Sequence, residues 1–196
     1  MSEKYKLKYE VLAILRDNII AGMTAFGIPV SNRPGDGGWI VMESDQHSIR
    51  NADKAVLLWM EKVERIGWQG HKDGGYNAEK NAFESKDFFL EQQTWKIKVL
   101  CPQKTTPVTP ENIPISTEDV AGMLIAWFSR PGCYNFHEHG MSNLFVLSKD
   151  VKTYKDKSDV PQWVTEFPLK LHVNKEFTYD IPAAELENKG IVPIKP

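Results

Sequence analysis

The sequence has few of the features that assign a chain at once to a class of protein. It has only two cysteines, Cys101 and Cys133, far apart and without CxxC spacing, and both are predicted to be reduced and buried. No apolar run approaches the roughly 20 residues that span a bilayer. The first six residues contain no apolar core of a secretion signal. These absences predict a protein synthesised in the cytoplasm.

The sequence also lacks an excess of charge of either sign. Its formal net charge is -2 and its pI is about 6.2, so no overall attraction to nucleic acid or to an anionic membrane is expected, although a local basic patch remains possible. Hydrophobic residues make up 41% and charged residues 26%, as in ordinary globular proteins. Residues 1–196 are therefore predicted to form a single domain with its own core.

The clearest pattern is an alternation between Gln162 and Val173. One side of an extended backbone carries mainly apolar residues, which is typical of a long strand with one buried face. This side comprises Trp163, Thr165, Phe167, Leu169, Leu171 and Val173. Such a sheet is usually antiparallel. Lys170 and His172 are expected on the open face, and Pro168, which cannot donate to a strand ladder, indicates an edge position or a bulge.

Two amphipathic helices are predicted from three- and four-residue apolar spacing. The first runs from Tyr5 to about Phe26, before Gly27, and its stripe contains Leu7, Val11, Ile14, Leu15, Ile19, Met23 and Phe26. The second begins with Ser116 as its N-cap. Its buried stripe contains Val120, Met123, Leu124, Trp127 and Phe128. Both helices are expected to pack on the sheet.

A long hairpin is predicted between the two helices. Its strands run from Ala55 to Trp68 and from Phe83 to Cys101, and a further strand from Phe145 to Lys155 precedes the long one. Long loops are predicted at 29–55, with a short strand candidate at 39–42, at 67–82, which is rich in glycine, and at 102–116, which is rich in proline. The predicted fold class is therefore α+β: an antiparallel sheet with two main helices on one face and long loops.

One cluster of residues offers candidate metal chemistry. His137 and His139 lie on the same side of an extended backbone and could share a zinc ion, with Glu138 as a general base and a distant third ligand such as His71 or Asp73. The surrounding glycines and Asn135 favour instead a solvated polar loop. The glycine-rich stretches lack the GxxxxGK[ST] phosphate-binding pattern. No cofactor is therefore predicted, and a non-enzymatic role is favoured.

Several residues are candidates for protein contacts. Trp39 and Trp68 flank glycine-rich loops, where an aromatic side chain can anchor an interface, and core packing is the alternative for both. Trp95, Trp127 and Trp163 are predicted to be core residues. The full set of interface candidates is Trp39, Trp68, His71, Tyr76, Lys170 and His172.

The C-terminal segment and the order of the elements resemble a known family. Val151-Lys152-Thr153-Tyr154, the turn Asp156-Lys157-Ser158-Asp159 and the strand from Trp163 to Val173 are similar to the last hairpin of the tail-terminator and neck proteins of tailed bacteriophages. In that family an N-terminal helix, a hairpin with a long loop, a second helix and a closing hairpin form a small α+β domain. The resemblance covers nearly the whole chain.

The resemblance implies a structural role in the virion. Such proteins form a ring, commonly of six subunits, that caps the tail tube and offers a surface to the head–tail connector protein. The implied partners are further copies of the chain, the tail tube protein and the connector protein, with genomic DNA passing through the lumen without specific binding. Another neck or baseplate subunit is one alternative, and a small metal-dependent hydrolase that uses His137 and His139 is a second.

Overall fold

A computed structural model describes residues 8–33, 36–43, 54–102, 114–146, 150–156 and 162–188 of the chain. The elements within these ranges, in chain order, are α1 (Lys8–Ala25), β1 (Ile40–Glu43), β2 (Ala55–Asn77), β3 (Ala82–Pro102), α2 (Thr117–Ser129), α3 (Pro131–Glu138), β4 (Met141–Val146), β5 (Lys152–Asp156), β6 (Gln162–Pro182) and α4 (Ala183–Asn188).

All the described strands belong to one sheet in the order β1-β2-β3-β6-β4, with β5 also paired to β6. The pairs β2–β3, β3–β6, β4–β6 and β5–β6 are antiparallel. Strand β1 runs parallel to β2. The predicted α+β class is confirmed, and the single parallel pair makes the sheet mixed rather than purely antiparallel.

The two faces of the sheet differ in what covers them. In β3 and β6 the odd-numbered residues lie on one face, and those near the helices join the main core with residues of α1, α2 and α3. We call this the helix face. The even-numbered residues of β3 and β6 lie on the open face, where a smaller buried cluster contains Ile40, Ala55, Leu57, Leu100 and Val164. The alternation predicted for β6 therefore has a direct structural counterpart.

Helix α1 buries an apolar stripe against the sheet. Val11, Leu15, Ile19 and Met23 are fully buried at four-residue spacing. Gly27 ends the helix in a left-handed conformation, with φ of 71°, and the N–H of Ile28 donates to the carbonyl of Met23 at 2.9 Å. The predicted stripe was wrong at its end, because Phe26 lies beyond the helix and is exposed. Tyr5 and Leu7 lie outside the described residues.

Helix α2 begins as its sequence predicts. The hydroxyl of Ser116 accepts the backbone N–H of Asp119 at 3.0 Å, and the backbone N–H of Ser116 donates to the Asp119 carboxylate at 3.0 Å, which completes a capping box. The Ser116 hydroxyl also donates to the Asp119 carboxylate at 2.7 Å. This bond and then the one from the Ser116 backbone N–H lower the pKa of Asp119. The carboxylate is therefore held in its charged form at the positive end of the helix.

A buried polar contact joins the three helices. The side chain of Asn18 in α1 is fully buried, and its Nδ2 donates to the carbonyl of Gly132 at 2.9 Å. Its Oδ1 accepts the indole N–H of Trp127 at 2.8 Å. The indole lies so close to Gly22 and Gly132 that a Cβ at either position would be 2.8 Å from its Cδ1. The helices can therefore approach only because these two positions lack side chains.

The predicted loop at 67–82 was wrong over most of its length. Strands β2 and β3 remain paired as far as Asn77 and Ala82, and only residues 78–81 form the turn, with Asn81 at a φ of 46°. The glycines that suggested a loop lie instead on a strand interrupted by three register shifts. At Gly70 a Cβ would overlap the ring of Phe88, so this glycine permits a close cross-strand approach.

The strand predicted from Phe145 to Lys155 is two strands. Both β4 and β5 pair with β6, β5 along Gln162–Glu166 and β4 along Leu169–Val173. Pro168 lies between these two stretches, where its missing N–H costs no ladder hydrogen bond to either outer strand. The predicted short strand at 39–42 is present as β1. Most of the predicted loop at 102–116 lies outside the described residues.

Two predictions of burial need correction. Trp163 is 44% exposed because it lies near the start of β6, beyond the part of the helix face that the helices cover. Cys101 is buried in the main core as predicted, whereas Cys133 on α3 is only partly buried.

Candidate interaction surfaces

A three-stranded arm extends beyond the helix-covered core. It consists of β2 from Glu61 onward, β3 up to Gln93 and β6 from Asn174 onward, and we call it the β arm. The nine residues of β6 in the arm span about 30 Å. On β3, the buried apolar residues that pack with the helices begin at Trp95 and continue to Cys101, away from the arm. Among the described residues, none of the arm belongs to the main core.

The β arm exposes apolar and aromatic side chains. On the helix face of the arm, Tyr179 and Val63 are each 42% exposed, and on the open face Phe88 is 47% exposed. Some rings contact one another, as in the stacked pair Phe89 and Phe177, whose centroids are 5.4 Å apart. Exposed apolar surface of this kind is typical of a surface that another molecule covers.

Polar side chains are unusually buried at the base of the arm. Lys175 is 4% exposed and lies 3.8 Å from the carboxylate of Glu91. Burial lowers the pKa of Lys175, and the neighbouring carboxylates oppose that change. Gln93 is also buried, and its Oε1 accepts the indole N–H of Trp95 at 3.0 Å. These contacts fix the arm where it leaves the apolar core.

A serine, a histidine and an aspartate meet on the helix face of the arm. The Nδ1 of His71 lies 2.7 Å from the Asp87 carboxylate, and its Nε2 lies 3.3 Å from the hydroxyl of Ser85. This order of contacts is that of a hydrolase triad. Ser85, however, is only 1% exposed, so a substrate carbonyl cannot reach its hydroxyl in this conformation. The cluster therefore acts as a cross-strand polar contact.

The sequence did not suggest the Ser85 cluster, because its members meet only through strand pairing. His71 pairs in register with Asp87. Ser85 lies two residues before Asp87 on the same strand and therefore on the same face. The one available signal was the i and i+2 spacing of Ser85 and Asp87 on a predicted strand.

The open face carries a network of charged and polar side chains in the middle of the sheet. Glu166 is only 9% exposed; it lies 3.1 Å from the ammonium group of Lys96 and accepts the Tyr154 hydroxyl at 3.2 Å. Burial and the nearby Glu166 carboxylate raise the pKa of Tyr154 to about 12. The phenol is therefore neutral at physiological pH and can donate to the carboxylate.

The predicted interface residues occupy different environments. Trp39 is 1% exposed and belongs to the main core, so its proposed role at a surface was wrong. The side chain of Trp68 is outside the described part of the chain. Tyr76 is partly buried near the tip of the arm, where its ring packs on Phe83 and its hydroxyl donates to Asn81 at 2.6 Å. The environment of His71 is the polar cluster described above.

Lys170 and His172 lie on the open face, as predicted from the alternation of β6. The Nε2 of His172 is 3.2 Å from Oε1 of Gln92. Gln92 in turn donates to Glu64 at 3.5 Å. Polar contacts therefore connect β6 with β2 across this face.

The candidate metal residues lie on a helix rather than on a strand or a polar loop. His137 is in the last turn of α3 and His139 is its C-cap, so the two side chains do not share a face as predicted. The nearest partner of His137 is Cys133, with 3.5 Å between Nε2 and Sγ. Within the described ranges, no group of three histidine, cysteine, aspartate or glutamate residues could hold a metal ion.

A scan of protein-family models finds no family that matches the chain, and a search of curated proteins finds no match either. No helix in the described part of the chain is both long enough and apolar enough to cross a membrane. The function of the protein therefore has to be inferred from its own residues and geometry.

Proposed function

We propose that the chain is a structural assembly protein that binds other subunits through its β arm. The observation that carries this proposal is the extension of three paired strands beyond the helix-covered core, with Phe88, Tyr179 and Val63 exposed on them. A three-stranded sheet needs a covered apolar face for independent stability. Binding of another subunit supplies that cover.

An assembly protein of this kind, together with the resemblance in the C-terminal segment, favours the interpretation of the chain as a tail-terminator-like subunit of a phage virion. In this role a ring of about six copies caps the tail tube and joins it to the head connector, and DNA passes through the lumen. The protein is then non-enzymatic and its location is the tail or neck of the virion.

The two long sides of the arm are suited to a ring because they differ. A ring requires one surface patch to meet a different patch on the neighbouring subunit. On one side, β2 has three register shifts and carries closely spaced charges of both signs from Glu61 to Arg65. On the other side, β6 keeps an unbroken register with β3 as far as Pro182. Contact between unlike sides propagates in one direction, as a closed ring requires.

The test is the mass of the native particle, measured by native mass spectrometry on the protein alone and after mixing with purified tail tubes. We expect a ring of about six subunits in at least one of these conditions. A double variant, Phe88→Ser with Tyr179→Ser, should remain monomeric, because it removes an exposed aromatic ring from each face of the arm. The matched control is Tyr134→Ser on α3, which removes a 73% exposed aromatic residue outside the arm and should assemble like the parent.

A parent protein that stays monomeric in both conditions refutes the proposal. A ring that does not bind tail tubes refutes the terminator role and favours another neck or baseplate subunit. Stoichiometric zinc in the purified protein, lost in a His137→Ala variant, contradicts the non-enzymatic assignment and favours the hydrolase.

A further inference from the structure

Five lysines converge on the open face of the sheet through strand pairing. Lys98 and Lys152 are both register partners of Glu166, Lys96 pairs with Pro168, and Lys62 and Lys170 are both register partners of Thr94. With about 4.8 Å between strands and about 3.3 Å per residue along them, these lysines cover an area of about 15 Å by 15 Å. We call this area the lysine face.

The lysine face is positively charged although the chain as a whole is not. Lys96 is paired with Glu166 and Lys62 with Glu64. In the described part of the chain, Lys98, Lys152 and Lys170 have no carboxylate within 4.0 Å. Three of the five lysines therefore have no ion-pair partner among the described residues, on a chain whose formal net charge is -2.

Aromatic side chains accompany the lysines. The ammonium group of Lys96 is 5.6 Å from the ring centroid of Trp59, and that of Lys98 is 5.9 Å from the ring of Tyr154. Tyr154 is 39% exposed and Trp59 is partly exposed. Positive charge beside accessible rings is the combination by which proteins bind single-stranded nucleic acid without sequence preference, through phosphate contacts and base stacking.

We propose that the lysine face binds single-stranded nucleic acid through Lys98, Lys152 and Lys170, with a base stacked on Tyr154. An acidic protein segment would meet the same charges but would have no use for the aromatic rings, which favours the nucleic acid. This inference does not depend on ring formation, because each chain carries the whole face.

The first measurement is fluorescence anisotropy of a labelled oligo(dT) of about 20 nucleotides at about 50 mM salt. Three phosphate contacts predict a slope of about -2 in a plot of log K against log salt concentration. Replacing two of the lysines, Lys98→Gln with Lys170→Gln, should weaken binding at least tenfold and reduce the slope to about -0.7.

Strand β5 offers a matched pair of controls. Lys152 lies on the open face and Lys155 on the helix face of the same short strand. Lys152→Gln should weaken binding and Lys155→Gln should not, although both remove one charge. Tyr154→Leu should weaken binding at least fivefold, whereas Tyr154→Phe, which keeps the ring, should bind like the parent. Circular dichroism melts should show that each variant folds.

Three outcomes overturn the proposal. The first is no binding of oligo(dT) by the folded parent protein at about 50 mM salt. The second is an equal loss of affinity in Lys152→Gln and Lys155→Gln, which would indicate general charge attraction. The third is equal affinity for a polyglutamate peptide with no effect of Tyr154→Leu, which would assign the face to an acidic protein partner. Subunit mass is a separate readout, so failure here leaves the ring proposal unaffected.

Discussion

Replacing Asn18 with alanine should destabilise the protein by more than the loss of a small polar side chain usually does. The side chain is fully buried and makes one hydrogen bond as donor, to the carbonyl of Gly132, and one as acceptor, from the indole of Trp127. Alanine makes neither bond. It leaves the partly buried indole N–H of Trp127 without an acceptor and removes the side-chain donor to the carbonyl of Gly132, at the point where the three helices meet.

The magnitude follows from the two groups that lose their partner. An indole N–H left without an acceptor costs about 1–3 kcal/mol, and the lost hydrogen bond to Gly132 costs about 1 kcal/mol more. We therefore expect the free energy of unfolding to fall by about 2–4 kcal/mol. For a chain of this length this corresponds to a decrease in Tm of roughly 4–16 °C.

The change in the free energy of unfolding is measured by urea unfolding, followed by circular dichroism. An unchanged m-value would indicate that the variant keeps the native structure. Asn174→Ala is the matched control, since Asn174 is exposed on β6 and its loss should change stability by less than about 0.5 kcal/mol. A loss below about 1 kcal/mol for Asn18→Ala would show that water replaces the lost partners and that the contact does not hold the helices together.

Two further predictions concern the helices. Gly132→Ala places a Cβ 2.8 Å from the Trp127 indole and should lower the free energy of unfolding, measured by heat or urea, by about 1–3 kcal/mol. Gly122→Ala, where a Cβ would meet nothing within 4 Å, should instead stabilise α2 by up to about 1 kcal/mol. An equal effect at both positions would contradict the close packing at Gly132. Ser116→Ala should cost about 1 kcal/mol near pH 7. Because Ser116 lowers the folded pKa of Asp119 below its ordinary value of 3.8, the part of this stabilisation that comes from bonds to the carboxylate is present above that value and is lost as the pH falls through the folded pKa. The difference between parent and variant should therefore narrow in acid, and the remainder measures the bond from the Asp119 N–H to the hydroxyl.

The parts of the fold that could be predicted are those with a clear periodicity. Residues of β6 alternate between buried and partly exposed from Phe167 to Val173, as the sequence indicates, because helices cover only one face. The cap at Ser116 was also predictable, since a capping box depends on residues three apart. Both signals are local, so no knowledge of the pairing of strands was needed.

The errors arose where the local signal and the strand pairing disagree. Gly70 and its neighbouring glycines suggested a loop, but pairing of β2 with β3 continues past them, and the close approach of Phe88 requires a glycine there. Trp39 lies next to a turn in sequence, yet its side chain reaches the core. Composition cannot distinguish these cases, because the partner that decides the conformation lies on another strand.

The candidate surfaces depended on register in the same way. The alternation in the sequence predicted that Lys170 lies on the open face. That Lys98 and Lys152 lie near it is known only from the pairing of β3 and β5 with β6. The contact of His71 with Ser85 could likewise not be predicted from the sequence. Site residues that come together across strands can be read only from a structure.

The interval at Pro168 has a consequence for local opening of the sheet. In the described part of the chain, β5 pairs with β6 along Gln162–Glu166 and β4 pairs with it from Leu169 to Val173, so neither outer strand supports the other across the proline. All four residues Lys152–Lys155 are also exposed. The amide protons of β5 should therefore exchange with deuterium through detachment of that short strand alone, whereas those of the central part of β3, enclosed by β2 and β6, should exchange only when the whole sheet unfolds.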